Sequence, residues 1–74
     1  MKFEDFGKNV AKYRNKIGMS AYELSLQLGK DSSYISKLEN GRINISLKMI
    51  LSISEILKIA LKNYLKKLVN YDTR

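Results

Sequence analysis

Between Ser20 and Gly41 the chain reads SAYELSLQLGKDSSYISKLENG, two short helical patterns joined through one glycine, and no other stretch restricts the fold as much. Leu24 and Leu28 stand one turn apart and share a helix face, while Ser25 between them is small enough to let a second helix approach. Gly29 follows where a helix ends in a left-handed residue, a conformation that strains any side chain with a Cβ. Beyond the turn, Asp31 is placed to cap the next helix by accepting a bond from a backbone N–H. Ile35 and Leu38, three apart, give that helix one buried edge. Ser20 and Glu23 make a Ser-x-x-Glu capping box at the start of the first helix, and Gly41 closes the second. Helices over 20–28 and 32–40 are therefore predicted, crossing steeply over a short turn.

With 74 residues, the chain is expected to form a single domain over residues 1–74. At that size burial only just offsets chain entropy, which favours a compact all-helical arrangement or a dimer. The sequence holds no cysteine and no histidine, which removes disulfides, thiolate nucleophiles and the usual zinc ligands, so no metal or other cofactor is expected. Glu4, Asp5, Glu23, Asp31, Glu39, Glu55 and Asp72 read as helix-start or ion-pair residues, and no Gly-rich phosphate loop or Ser/His/Asp set can be assembled. These absences argue against an enzyme.

Fourteen Lys and Arg against seven Asp and Glu leave a net charge of +7, a positive field suited to a polyanion. Charge alone does not separate DNA from RNA or an anionic membrane. No apolar run approaches the roughly 20 residues that a membrane span requires. The N-terminal MKFEDFGK lacks the apolar stretch of a signal peptide, so a cytoplasmic location with no membrane partner is expected.

Phe3, Phe6, Val10, Tyr13 and Ile17 recur at steps of three and four, an amphipathic helix with Lys8, Lys12 and Lys16 on its wet side and Gly18 at its end. After the central motif, a polar connection through Gly41, Arg42 and Asn44 leads to Ser46, placed to cap a further helix. From Leu47 onward there is neither Gly nor Pro, and Ile50, Ile53, Leu57, Leu61, Tyr64 and Leu68 form one stripe. Met49, Leu51, Ile56, Ile59, Leu65 and Val69 lie off that stripe, and Leu51 and Ile56 are assigned to a second core face.

Taken together, FGKNVAKYR, the segment from Ser20 to Gly41 and ENGRINISLKMIL are similar to the phage-repressor or Xre-type helix-turn-helix family, also called lambda-repressor-like. The likeness runs from Phe6 to Leu65. It implies an all-α, compact five-helix DNA-binding domain with the motif at 20–41 and a C-terminal segment, 46–69, for packing and dimerisation. Relatives break that segment with a Gly followed by a capping Ser. Here the same positions are Lys58 and Ala60, so one continuous helix through Val69 stands beside the two-helix expectation.

The resemblance also implies roles. A recognition helix enters the major groove by its N-terminal end, so the base-reading residues are expected to be Ser32, Ser33, Tyr34 and Lys37. Lys37 suits guanine O6 or N7, the serines donate or accept, and Tyr34 suits a thymine methyl or a phosphate. Phosphate contacts are assigned to Ser20 and Ala21 through their backbone, to the Tyr22 hydroxyl, to Lys30, Asn40 and Arg42, and to the helix start after Ser46. Many relatives carry a DNA-contacting glutamine where this chain has Ala21, and an apolar residue where it has Lys30. Arg14 and Glu39 match a pair that is salt-bridged in several relatives. Repressors of this type read two half-sites as two-fold dimers, which assigns Ile59, Leu65 and Val69 to a homodimer interface.

The reading is a small dimeric transcriptional regulator, repressor or controller, that binds a double-stranded DNA operator of two half-sites and has no room for a small-molecule ligand domain. The alternatives are an antitoxin or other protein-interaction module that uses the apolar C-terminal helix, and a basic amphipathic helix lying on anionic membrane.

Overall fold

Four helices account for the architecture: α1 (Phe3–Lys16), α2 (Ala21–Gln27), α3 (Tyr34–Glu39) and α4 (Leu47–Asp72). They come from a computed structural model that describes residues 3–72, with side chains from Asp5 to Leu68. Phe3, Glu4, Val69 and Asp72 therefore have side chains outside the described residues.

The first three helices end alike. At the end of α2 the Gly29 amide donates to the Leu26 carbonyl at 3.0 Å and the Lys30 amide reaches back to Ser25 at 3.0 Å, with Gly29 at φ +72. This is the paired closure that a left-handed glycine permits, and it satisfies carbonyls that a helix end leaves free. Helices α1 and α3 close the same way, through Gly18 with Met19 and through Gly41 with Arg42. The starts of α2 and α4 are each capped by the serine that precedes them. Ser20 Oγ accepts the Glu23 amide at 2.9 Å, the Ser20 half of the expected box. Ser46 Oγ accepts the Met49 amide at 3.1 Å.

Val10, Leu24, Ile35, Leu38, Ile45 and Ile53 form the buried core, so every helix contributes and Ile45 adds the connection between α3 and α4. Full burial of such a side chain stabilises by about 1.5–3 kcal/mol, and around it Phe6, Leu28, Ile50, Ile56 and Leu57 pack half-covered. Helix α1 approaches α3 at a glycine. A Cβ on Gly7 would lie 2.6 Å from the Leu38 carbonyl oxygen and 3.1 Å from Glu39 Cα.

Three expectations are corrected. The helix count is four and not five, because α4 runs without a break through Lys58, Ile59 and Ala60, where no Gly, Pro or capping residue interrupts strong helix formers. Helix α3 is shorter than 32–40: Ser32 and Ser33 form a turn, and helical hydrogen bonding occupies Tyr34–Glu39. Leu51, assigned to a core face, is 61% exposed. On a straight helix it lies about 160° from Ile53, so burying Ile53 turns Leu51 to solvent.

Candidate nucleic-acid interface

Helix α3 is held from below and open above. Ile35 and Leu38 are fully buried, while Ser32, Ser36 and Lys37 are exposed and Ser33 and Tyr34 are half-covered. Its start is fixed from another helix. The buried Ser25 hydroxyl on α2 donates to the Ala21 carbonyl at 2.8 Å and accepts the Ile35 amide at 3.0 Å. A free amide at that depth would carry the desolvation penalty of an unmade hydrogen bond. Among the described residues no buried side-chain polar atom lacks a partner.

At the leading edge of α3, Asp31 Oδ1 accepts both the Ser33 amide at 2.9 Å and the Ser33 hydroxyl at 2.7 Å. Those two bonds, the hydroxyl first, hold the Asp31 carboxyl below the usual carboxylate range. They also commit the Ser33 hydrogen, so Ser33 offers its lone pairs outward. The Lys30 ammonium lies 5.5 Å from the centroid of the Tyr34 ring, within cation–π reach. Tyr34 packs half-buried against the core, and that burial pushes its hydroxyl pKa up. Of the four residues assigned to base reading, Ser32 and Ser33 lie on the turn before α3, Tyr34 opens the helix and Lys37 stands in its last turn.

The residues assigned to phosphate are more scattered. Ser20 is exposed, Ala21 half-covered, and Tyr22 projects from the first turn of α2. Asn40 Nδ2 donates to the Ser36 carbonyl at 2.8 Å, so one of its donors closes α3. Lys30 and Arg42 are exposed, each just after a helix-ending glycine.

Behind the far end of α3, Arg14 and Glu39 meet in a fork. Arg14 Nε lies 2.8 Å from Glu39 Oε2, and Nη2 lies 3.0 Å from Oε1. Arg14 Nη1 also donates to the Met19 carbonyl at 2.8 Å. Both side chains are only 13% exposed, and the hydrogen bonds to Glu39 raise the Arg14 pKa. The pair ties the end of α1 to the end of α3.

A family model described as Helix-turn-helix matches residues 10–62, well over half of the chain. The chain belongs to the Xre-type, lambda-repressor-like helix-turn-helix family. This helix-turn-helix protein is accordingly a DNA-binding regulator, in a family of regulators and not of enzymes. No curated protein and no solved structure matched the helix-turn-helix chain. Among the described residues no carboxylate cluster could hold a metal ion, and no helix is long and apolar enough to cross a membrane.

Sequence reasoning missed two parts of the helix-turn-helix scaffold, the close passage at Gly7 and the hydrogen bond from Ile35 to Ser25. A lone Gly inside an otherwise good helical pattern was the available signal for the first. Of the residues assigned to a dimer interface, Ile59 and Leu65 are 51% and 50% exposed. They stand about 120° apart around α4, on either side of Lys62, so the helix does not bring them to one face. Val69, the third, has its side chain outside the described residues.

Proposed function

We propose that this protein is a sequence-specific, homodimeric transcriptional regulator of the repressor or controller type, and that it reads the major groove of double-stranded DNA with residues 32–40. The supporting observation is the placement of Ser32 and Ser33 on the turn that leads into α3 and of Lys37 on its exposed side, while its other edge, Ile35 and Leu38, is buried. A probe can report sequence only if its orientation is fixed. The Ser25 hydroxyl fixes the start of α3, and the Arg14–Glu39 fork fixes its end. Lys37 donates to guanine, Ser33 accepts from an amino group of adenine or cytosine, and Arg42, Lys30, Tyr22 and the amides that open α2 and α4 grip phosphate.

Regulation follows from occupancy: a bound dimer blocks or recruits polymerase according to where its operator lies. Selection of bound sequences from random duplex DNA tests the reading. Two related half-sites centred about 34–36 Å apart, or a multiple of that spacing, are expected for a two-fold dimer. Failure to enrich any sequence over the starting pool would reduce the function to non-specific DNA binding.

A further inference from the structure

Lys30 and Tyr34 are joined across the turn that leads into α3. The Lys30 ammonium stands over the Tyr34 ring, 5.5 Å from its centroid. Both residues have anchored backbones: the Lys30 amide donates to the Ser25 carbonyl at 3.0 Å, and the Tyr34 amide donates to the Asp31 carbonyl at 3.1 Å. Tyr34 also packs half-covered against the core. Its ring is therefore a firm support.

The partner that Lys30 does not take is as informative. Asp31 is its neighbour in the chain, yet the one salt bridge among the described residues joins Arg14 to Glu39. Asp31 Oδ1 turns to the Ser33 amide and hydroxyl instead, and the lysine whose charge favours that carboxylate is Lys37. A carboxylate would neutralise the ammonium, whereas a ring holds it through its quadrupole and leaves the charge whole. The ring shields one side only. Lys30 is exposed, so N–H donors remain for an anion.

We propose that Tyr34 is a positioning residue: its ring holds the Lys30 ammonium beside the turn that carries Ser32 and Ser33, where Lys30 grips a DNA phosphate, and the Tyr34 hydroxyl makes no DNA contact. This rests on the phosphate role given to Lys30 above and assigns what orders it. A lysine loses rotamer freedom when it binds phosphate, and one already confined by a ring loses less. The same contact removes Tyr34 from the base readers. A ring half-covered by the core and topped by an ammonium has little open face for a thymine methyl.

Binding of the full chain to a random duplex, followed by fluorescence anisotropy at several salt concentrations, tests this without knowledge of the operator. Lys30→Ala should lower the salt slope by about one. Tyr34→Leu should weaken binding about two- to fivefold, the range for a cation held at an exposed ring, while Tyr34→Phe, which keeps the ring, should stay within about twofold of the parent. In the Lys30→Ala background, Tyr34→Leu should have no further effect, which a general loss of stability would not produce. Nuclear Overhauser contacts between the Lys30 ε-methylene and the Tyr34 ring protons should be present in the unbound chain and persist when duplex is added. Their absence from the unbound chain overturns the contact, and their loss on the duplex overturns the positioning role. An unchanged salt slope in Lys30→Ala overturns the phosphate role, and leaves sequence reading by Ser32, Ser33 and Lys37 to the selection experiment above. Equal losses in Tyr34→Phe and Tyr34→Leu would return the hydroxyl to the DNA contacts. Tighter binding by Tyr34→Leu would mean that the ring keeps the ammonium from the duplex, the reverse of what is proposed.

Discussion

The hydroxyl of Ser25 accepts the backbone amide of Ile35 at 3.0 Å, so the first turn of α3 is capped by a side chain from α2. Ser33, which directly precedes α3, makes no side-chain cap of its own. The small size that lets the helices approach and the oxygen that satisfies the amide are thus two separate demands on one residue. Ser25→Ala meets the first only. It should cost about 1–3 kcal/mol, the penalty for a buried donor left without an acceptor, read as a lower urea midpoint at unchanged slope. Equal midpoints would mean that water replaces the hydroxyl.

Arg14→Ala should cost about 3–5 kcal/mol, the range for removing one partner of a buried pair, and not the 0–1 kcal/mol of a surface pair. The fork geometry and the 13% exposure of each partner decide between the two. The Met19 carbonyl loses its side-chain donor as well. Arg14→Lys should recover little, since an ammonium cannot donate in parallel to both Glu39 oxygens. A loss under about 1 kcal/mol on thermal or urea unfolding would show that solvent already screens the pair.

Gly7→Ala sets two effects of opposite sign against each other. Inside a helix, Ala is better than Gly by about 0.8–1.0 kcal/mol. At this site, however, the new methyl would sit 2.6 Å from the Leu38 carbonyl oxygen, and the obstacle is backbone, not a flexible side-chain end. Relieving the overlap means moving α1 off α3, for which overpacking costs of about 1–3 kcal/mol are usual. Net destabilisation is expected, together with weaker DNA binding because α3 loses its backing. A variant more stable than the parent would show that α1 shifts freely.

Asp31 supplies a titration. Its carboxylate is favoured in the folded state by the Ser33 hydroxyl and amide, so its folded pKa lies below the unfolded one. The stabilisation is complete above the unfolded value of about 3.9 and is lost as pH falls through the lowered folded value. Stability near neutral pH should therefore not respond to this group. Ser33→Ala removes the larger contribution, and NMR titration of the Asp31 carboxyl should then move upward toward the ordinary range. An unchanged midpoint would assign the shift to the amide alone.

What the sequence made legible was local. Ser20 with Glu23, Ser46 with Met49 and the glycines at 18, 29 and 41 act over three to five residues of chain, and their residue types state their geometry. The continuity of α4 was legible too, in the missing stop at Lys58 and Ala60, but the resemblance to five-helix relatives pulled the other way. Gly7 against Leu38 and Ser25 against Ile35 were hidden because each joins elements whose relative placement no local pattern encodes. The position of Leu51 was lost for the same reason: its exposure follows from which face of α4 Ile53 commits to the core.

Lys37 and Arg42 should separate base reading from phosphate binding. Lys37 is exposed on α3 one turn beyond Ser33, and Arg42 follows the glycine that ends the helix. If Lys37 donates to a guanine, Lys37→Ala weakens the selected operator by about 1–3 kcal/mol and relaxes preference at one base pair, with a smaller effect on random duplex. If Arg42 holds phosphate, Arg42→Ala weakens operator and random duplex alike and lowers the salt slope by about one. Fluorescence anisotropy titrations on both DNAs at several salt concentrations give all four quantities. A Lys37→Ala variant that loses the same amount on both duplexes belongs with the phosphate grips, and base recognition would then rest on the turn residues Ser32 and Ser33.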